Sequence, residues 1–445
     1  MKTVGLITEY NPFHNGHQYH IEQAKALTGA DNVIVIMSGD YVQRGTPSIM
    51  PKRLRAEMAL EAGASAVFEL PVCYSTASAE LFAAGAVSFL DKLGIVDYIC
   101  FGSECDDLEL LKAAADFLSD ETKEYKAYLQ ENLKKGFSFP VARHKAIDAC
   151  LNNNKLSSVI KDPNNILAIE YLKALIRLNS HIKPVCIKRV VAGYHDKSLN
   201  NKISSATAIR SLLAYSVNSV STVNNKSKYE NTSFSTILDK IEDQVPKECI
   251  HVIKDNYHIS YPVYQNDFSL IMKYKLINKT PESLIKYMDI SPDLANRICN
   301  NINNYFNYKQ FAELLKSKEL TQTRINRGLL HIMLGLKTSN TNQYIQGGYH
   351  YYARLLGVRR DKDKILGRIS SESSLPLITN PYKVDMVAEL GKEMLNQDIL
   401  ASNLYTSVIT DKYKTPFKNE YTGCVTSGNG FNLYYSYRDY LKQKM

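Results

Sequence analysis

Two histidines separated by Asn15 and Gly16 stand near the start of the chain, as His14-Asn15-Gly16-His17. An apolar run (Val4, Leu6, Ile7) precedes them and stops at Asn11-Pro12, a turn signal. An amphipathic helical pattern follows. A strand, a tight turn and a helix N-terminus in that order leave free backbone N–H groups and the positive end of the helix dipole facing one point, where an anion binds. Gly16 carries no side chain, so a phosphate or a base can approach the backbone closely. His14 and His17 can donate hydrogen bonds to phosphate oxygens as charge develops in a transition state. The plain alternative is a surface turn with two chance histidines, and it leaves the motif's place between first strand and first helix unexplained.

Other stretches carry compatible chemistry. Ser204, Ser205 and Thr207 sit at a second helix start, followed by Arg210; hydroxyls there with an arginine a turn and a half on make a phosphate clamp, capping alone being the competing reading. In Ser38-Gly39-Asp40-Tyr41-Val42-Gln43-Arg44-Gly45, Gln43 or Arg44 can reach phosphate or substrate, or the stretch is a plain surface loop. Lys52, Arg53 and Arg55 open a helix against the dipole preference, which calls for an anionic partner or solvent. Gly102, in Phe101-Gly102-Ser103-Glu104, is a place for adenine or ribose to pack on backbone, or a turn glycine. Asn164 and Asn165 follow Asp162-Pro163 as ligand or cap, and Arg189 follows a later strand as Gly102 does.

Strands are predicted at Thr3–Thr8, Asn32–Met37, Ala66–Leu70, Asp97–Phe101 and Pro184–Lys188, with helices between them at His17–Leu27, Arg53–Ala62, Ala77–Leu93 and Asn165–Leu178. That alternation predicts an α/β fold, a doubly wound, Rossmann-like parallel sheet with its ligand beyond the carboxyl ends of the strands. Helices at Leu110–Phe117, Lys123–Leu133 and Val141–Leu151 form an expected insertion over about residues 107–160. The expected division is a nucleotide-binding domain at 1–215, a polar linker at 216–232, a helical region at 233–345 and a basic mixed α/β region at 346–445. Helical spacing is read in Leu270–Leu276, Ser283–Met288, Leu329–Leu336, Tyr351–Leu356 and Lys383–Leu395, and a strand end at Leu377–Thr379.

The formal net charge is +9; residues 1–215 hold 24 Lys and Arg against 23 Asp and Glu, so +8 of it falls in residues 216–445. A basic half suits a polyanion such as RNA, or is a solvated lysine-rich surface. The eight cysteines form no CxxC pair, so reduced thiols, no structural metal and a cytoplasmic setting are expected. No apolar run approaches a membrane span, and no signal peptide is expected.

His14-Asn15-Gly16-His17 early and Ile203 to Arg210 late resemble the HIGH-type nucleotidyltransferase superfamily. Glu9-Tyr10-Asn11-Pro12-Phe13, Met37-Ser38-Gly39, Val42-Gln43-Arg44-Gly45, Arg55 to Leu60, Glu69-Leu70-Pro71, Phe101 to Glu104 and Ala192-Gly193-Tyr194-His195-Asp196 more specifically resemble the bacterial tRNA(Met) cytidine acetate ligase family. The resemblance implies two steps: acetate attacks the α-phosphate of ATP, giving acetyladenylate and pyrophosphate, and N4 of the wobble cytidine of elongator tRNA(Met) then takes the acetyl group. It implies ATP along Ile7, Thr8, Glu9, Tyr10, Asn11, Pro12, Phe13, His14, Asn15, Gly16, His17, Gln18, Tyr19 and His20, with Gly102, Asn164 or Asn165, and Arg189. His14 and His17 would be catalytic, and Mg2+ would accompany the phosphates. Asp40 stands where that family is expected to have Asn, which adds a negative charge near the nucleotide. Arg359, Arg360, Lys362 and Lys364 are expected tRNA contacts. Two competing readings are a small-molecule adenylyltransferase, which leaves the basic half idle, and an RNA-binding protein regulated by ATP.

Overall fold

The computed structural model describes residues 1–120, 122–137, 139–151, 156, 159–189, 206–217, 234–380, 384–421, 425–427 and 431–434. The first half of the chain supplies β1 (Thr3–Thr8), β2 (Asn32–Ser38), a hairpin of β3 (Tyr41–Val42) and β4 (Thr46–Pro47), β5 (Ala66–Leu70), β6 (Tyr98–Ser103) and β7 (Lys183–Lys188). In space the sheet runs β5, β2, β1, β6, β7. Every neighbouring pair in that run is parallel. The winding reverses between β1 and β6, the point in a doubly wound sheet where a ligand sits. All five expected strands are present, with ends moved by a residue or two.

The residues of β2 show why the sheet forms. Val33, Val35 and Met37 enter one core and Ile34 and Ile36 the other. A strand covered on both faces needs apolar side chains at every position. One face is covered by α1 (Asn15–Thr28) and α2 (Lys52–Glu61), through Ile21, Ala24, Ala56 and Ala59. The other is covered by α3 (Ala79–Lys92), through Phe82, Val87 and Leu90. The crossover to β7 holds α4 (Leu108–Ser119), α5 (Lys123–Lys134), α6 (Phe139–Leu151) and α7 (Pro163–Arg177), so the expected helical insertion is present. After it come α8 (Ala206–Val217), α9 (Ser269–Leu276) and α10 (Gln322–Leu334).

The C-terminal region departs from expectation. Within Tyr351–Leu356, read as helical, Ala353 to Leu356 belong instead to a strand, β8 (Ala353–Arg359), which pairs antiparallel with β5. Its apolar run is buried on both faces, and such a run has no period to separate strand from helix. A short strand, β9 (Leu377–Ile378), then pairs with β8. The long α11 (Glu389–Tyr413) starts later and runs further than Lys383–Leu395. Last, β10 (Val425–Ser427) and β11 (Phe431–Tyr434) extend the sheet beyond β8. Residues after 346 therefore share the sheet of residues 1–215. Helix at Ser283–Met288 is confined to Pro281–Leu284, and the chain then turns at Asp289, whose φ is 62°. Residues 216 and 217 close α8, and the rest of the expected linker up to 232 lies outside the described residues. No helix among the described residues is long and apolar enough to cross a membrane.

Candidate active site

His14 is the N-cap of α1 and His17 is its third residue; they cap the helix reciprocally. The Gly16 N–H donates to His14 Nδ1 at 3.1 Å, and the His14 N–H donates to His17 Nδ1 at 3.3 Å. A backbone N–H can only donate, so each Nδ1 is the bare nitrogen and each neutral ring carries its proton on Nε2. The rings stack with centroids 3.7 Å apart. Burial, helped by the charges of Arg189 and Arg210, pushes His14 down to about 3. Burial, then His14 and Arg189, hold His17 well below its ordinary range. Burial and Arg189 bring His20 to about 4. At neutral pH the turn therefore presents two uncharged N–H donors at the positive end of a helix.

The turn is held from beneath. Tyr10 has no exposure and adopts φ 48°, a left-handed conformation unusual for a bulky residue. Its ring packs on Phe13 at 4.7 Å and His17 at 4.8 Å, which fixes that conformation. Asn11 Oδ1 accepts from the Ile49 N–H at 2.7 Å. Arg210 of α8 donates to the Asn11 carbonyl at 2.6 Å and to Thr207 Oγ1 at 3.0 Å. So the late arginine does meet the early turn, across 199 residues of chain. Ser204, Ser205 and the stretch Ala192 to Asp196 lie outside the described residues.

Arg55 joins two strand ends. Its guanidinium donates to the carbonyls of Glu9 at 2.5 Å, Ser38 at 3.1 Å and Gly39. Its Nε donates to the Met50 carbonyl at 3.0 Å. The partners are carbonyl oxygens and not the anion that its place at a helix start suggested. Gln43 serves the loop too: its N–H donates to Glu9 Oε1 at 2.9 Å and its side chain to the Ala77 carbonyl at 3.2 Å. Arg44 is exposed, and its charge lies near Arg210. Asp40 is buried, and its Oδ1 accepts from the Lys52 N–H at 2.8 Å. Its charge, expected beside the nucleotide, is spent on the start of α2.

Across the switch point, β6 and α7 bring the remaining expected residues together. Arg189 donates to Asn164 Oδ1 at 3.1 Å. A Cβ on Gly102 would stand 3.1 Å from Arg189 Cγ, so a side chain there would crowd the arginine. Asn165 is buried, and its Oδ1 accepts from the N–H groups of Glu104 and Cys105 at 3.0 and 2.9 Å. Of the two asparagines, Asn164 faces Arg189 and Asn165 is committed to the loop after β6.

A buried charge network behind the loop supplies the anionic partners expected for Lys52 and Arg53; its acidic members and Arg354 went unread in the sequence. Lys52 Nζ lies 2.8 and 2.9 Å from the Glu69 oxygens and donates to Ser402 Oγ at 2.6 Å. It also lies 3.4 Å from Glu420. Arg354 bridges Glu69 at 3.1 Å and Glu420, and Arg53 reaches Glu420 at 2.9 Å. Burial alone would raise Glu420, but Lys52, Arg53 and Arg354 hold it well below the carboxylate range. Asp398 accepts from the Val72 N–H at 2.7 Å and the Tyr352 hydroxyl at 2.6 Å. Burial and the nearby Glu69 raise it to about 7. Besides the cations at the start of α2, the sequence signal was an arginine inside the apolar run Ala353-Arg354-Leu355-Leu356.

The expected tRNA contacts stand elsewhere. The Arg359 N–H donates to the Ser65 carbonyl at 3.0 Å, and Lys362 donates to the Asp31 carbonyl at 3.2 Å. Ser65 and Asp31 precede β5 and β2, so this stretch lies at the amino ends of the parallel strands. A six-residue strand spans roughly 20 Å, which puts these cations a full sheet length from the histidine turn. Arg359 is paired with Asp361 at 2.9 Å.

A family model described as HIGH Nucleotidyl Transferase matches residues 1–420, in agreement with the switch-point site and its His14-to-His17 turn. Within that class the chain belongs to the tRNA(Met) cytidine acetate ligase family. It is 37% identical to the tRNA(Met) cytidine acetate ligase of Acetivibrio thermocellus, over 94% of this chain and 96% of that one. It is 38% identical to that of Clostridium kluyveri, over 93% and 100%. Among solved structures, Thermotoga maritima TmcAL bound with alpha-thio ATP matches with a TM-score of 0.81 at 31% identity, over 92% of this chain and 95% of that chain. The apo form of the same protein matches with a TM-score of 0.84 at 30% identity, over 95% and 98%.

Proposed function

We propose that this chain is an ATP-dependent acetate ligase acting on elongator tRNA(Met). It joins acetate to the α-phosphate of ATP with release of pyrophosphate, and passes the acetyl group to N4 of the wobble cytidine. The observation that carries this reading is the pair of histidines whose reciprocal caps leave both Nε2–H donors for a phosphate, in a chain alike over nearly its whole length to proteins named for this activity.

In this reading ATP lies along Ile7 to His20. Its adenosine end rests on Gly102, with Asn164 and Arg189 closing the pocket; Asn164 is preferred to Asn165 because it is the asparagine that Arg189 contacts, while Asn165 is buried under the loop after β6. Attack by acetate puts charge on the nonbridging α-phosphate oxygens, which His14 and His17 stabilise. Arg210, with Ser204, Ser205 and Thr207, holds the departing pyrophosphate. Acetate is itself the nucleophile, so no side chain forms a covalent bond, and the enzyme works by positioning and charge. Mg2+ would come with the nucleotide. Glu9 is the only carboxylate between Ile7 and His20, and one of its oxygens already accepts from Gln43. Glu9 would be the residue of that stretch able to hold such an ion, which would offset charge on the phosphates. Residues 1–215 activate acetate, the basic remainder meets RNA, and Arg359, Arg360, Lys362 and Lys364 touch the body of the tRNA away from the reacting base.

The test is ATP–pyrophosphate exchange with and without acetate, followed by nucleoside analysis of tRNA(Met) incubated with the enzyme, ATP and acetate. The reading expects exchange that requires acetate, and N4-acetylcytidine in the tRNA. Exchange indifferent to acetate, with unmodified tRNA, overturns it.

A further inference from the structure

We infer that the tRNA docks on an apolar, lysine-flanked face formed by α9 and the loop at 305–309, an inference that rests on the ligase reading above. Four large apolar side chains here are left in water: Leu270, Tyr274, Ile277 and Phe306 are 80, 75, 58 and 83% exposed. Leu270, Tyr274 and Ile277 recur at helical spacing and share one side of α9, continued into the turn that ends it. The loop that carries Phe306 is tied to the start of the same helix. Tyr305 donates to the Ser269 carbonyl at 2.8 Å, the Tyr308 N–H to Ser269 Oγ at 3.1 Å, and the Lys309 N–H to Asn266 Oδ1 at 2.9 Å. The two segments therefore form one surface. A continuous apolar patch of this kind marks an interaction site.

Charge selects the occupant. Residues 268–281 contain Lys273, Lys275 and Lys279 and no carboxylate; residues 294–312 contain Arg297 and Lys309 and no carboxylate. Lys273 stands 5.8 Å over the Tyr305 ring, and Lys279 is 3.1 Å from the Tyr287 hydroxyl, both uncharged partners. Exposed rings interleaved with such cations are how proteins hold unpaired bases and their phosphates. The helix that carries the patch is also anchored at the right end of the sheet. Phe268, the residue before α9, packs on Tyr41 of β3 at 5.9 Å. That hairpin continues from the carboxyl end of β2, and its Gln43 holds Glu9 of the histidine turn. Gly45, with φ 73°, lets the hairpin bend against α10, where a Cβ would meet Arg327 N at 2.3 Å. The Arg359–Lys364 stretch lies at the opposite end.

The experiment measures tRNA(Met) affinity against salt for the full-length enzyme, the double variant Tyr274→Ser/Phe306→Ser and the triple variant Lys273→Ala/Lys275→Ala/Lys309→Ala, with acetate-dependent exchange measured in the absence of tRNA. All five positions are exposed, so folding and exchange should be unchanged. The double variant should bind tRNA at least about ten-fold more weakly, with an unchanged salt slope. The triple variant should reduce the slope of log affinity against log salt by roughly two to three. Wild-type affinity and slope in both variants overturn the inference. So does a wild-type dimer that Phe306→Ser dissociates without weakening tRNA binding, which would assign the face to a second copy of the chain. Failure of the ligase reading shows separately, as exchange that ignores acetate in the unaltered enzyme.

Discussion

Two polar clusters stand side by side at the carboxyl ends of the strands, and they are built in opposite ways. The histidine turn is uncharged, and its caps consume the Nδ1 atoms and leave the Nε2–H donors. The Lys52–Glu69–Arg354–Glu420 network is fully charged, and each charge faces another. The first is arranged to have unspent hydrogen bonds when a ligand arrives. The second has its charges matched to one another beforehand, and it ties β5, β8, α2 and the residues after α11 into one frame. Changes in the turn should therefore cost activity at nearly constant stability, and changes in the network should cost stability first.

The largest effect expected is Glu420→Gln. It leaves Lys52, Arg53 and Arg354 without a shared buried anion, and the loss of a partner in such a network costs about 3–5 kcal/mol. Denaturant unfolding measures it; a loss below ~1 kcal/mol would mean that the network is not the frame. Arg55→Lys comes next and straddles the two regions. A lysine cannot serve the Glu9, Ser38, Gly39 and Met50 carbonyls together, so about 1–3 kcal/mol of stability should go as buried carbonyls are left bare. Exchange should fall more steeply than the folded fraction, because the turn itself moves.

Acid acts with opposite signs on the buried histidines and on Asp398. His14 at about 3 and His20 at about 4, with His17, His331 and His350 also lowered by burial, bind protons less readily folded than unfolded. Stability they lend is complete above about 6.5 and is lost as pH falls toward 3. Asp398, raised to about 7, acts the other way between 3.8 and 7. The melting temperature should fall from pH 7 to pH 4, and fall more steeply in Asp398→Asn. A flat profile would contradict neutral buried histidines. The smallest effect belongs to Arg359, Arg360, Lys362 and Lys364: their joint replacement by alanine should lower tRNA affinity and its salt slope modestly, without touching exchange.

The turn was legible in the sequence because strand, Asn-Pro, histidines and helix are contiguous, and local order is what sequence displays. The five parallel strands were legible for the same reason. The network was not, since Lys52, Glu69, Arg354, Asp398 and Glu420 are charges scattered over the chain whose meeting depends on β8 joining β5. Misreading Tyr351–Leu356 as helix hid that pairing. It also hid that the antiparallel course of β8 carries Arg359–Lys364 to the far end of the sheet. The different partners of Asn164 and Asn165 depend on the loop after β6 meeting α7, which no local pattern displays.

The most direct test is acetate-dependent ATP–pyrophosphate exchange by His14→Asn. Asparagine is among the best N-caps, so α1 should keep its start and the melting temperature should stay within a few degrees. The Nε2–H donor is gone, and exchange should fall by about 10²–10³ with tRNA affinity unchanged. Exchange within a few-fold of wild type would contradict the claim that the two-histidine cap stabilises charge on the α-phosphate.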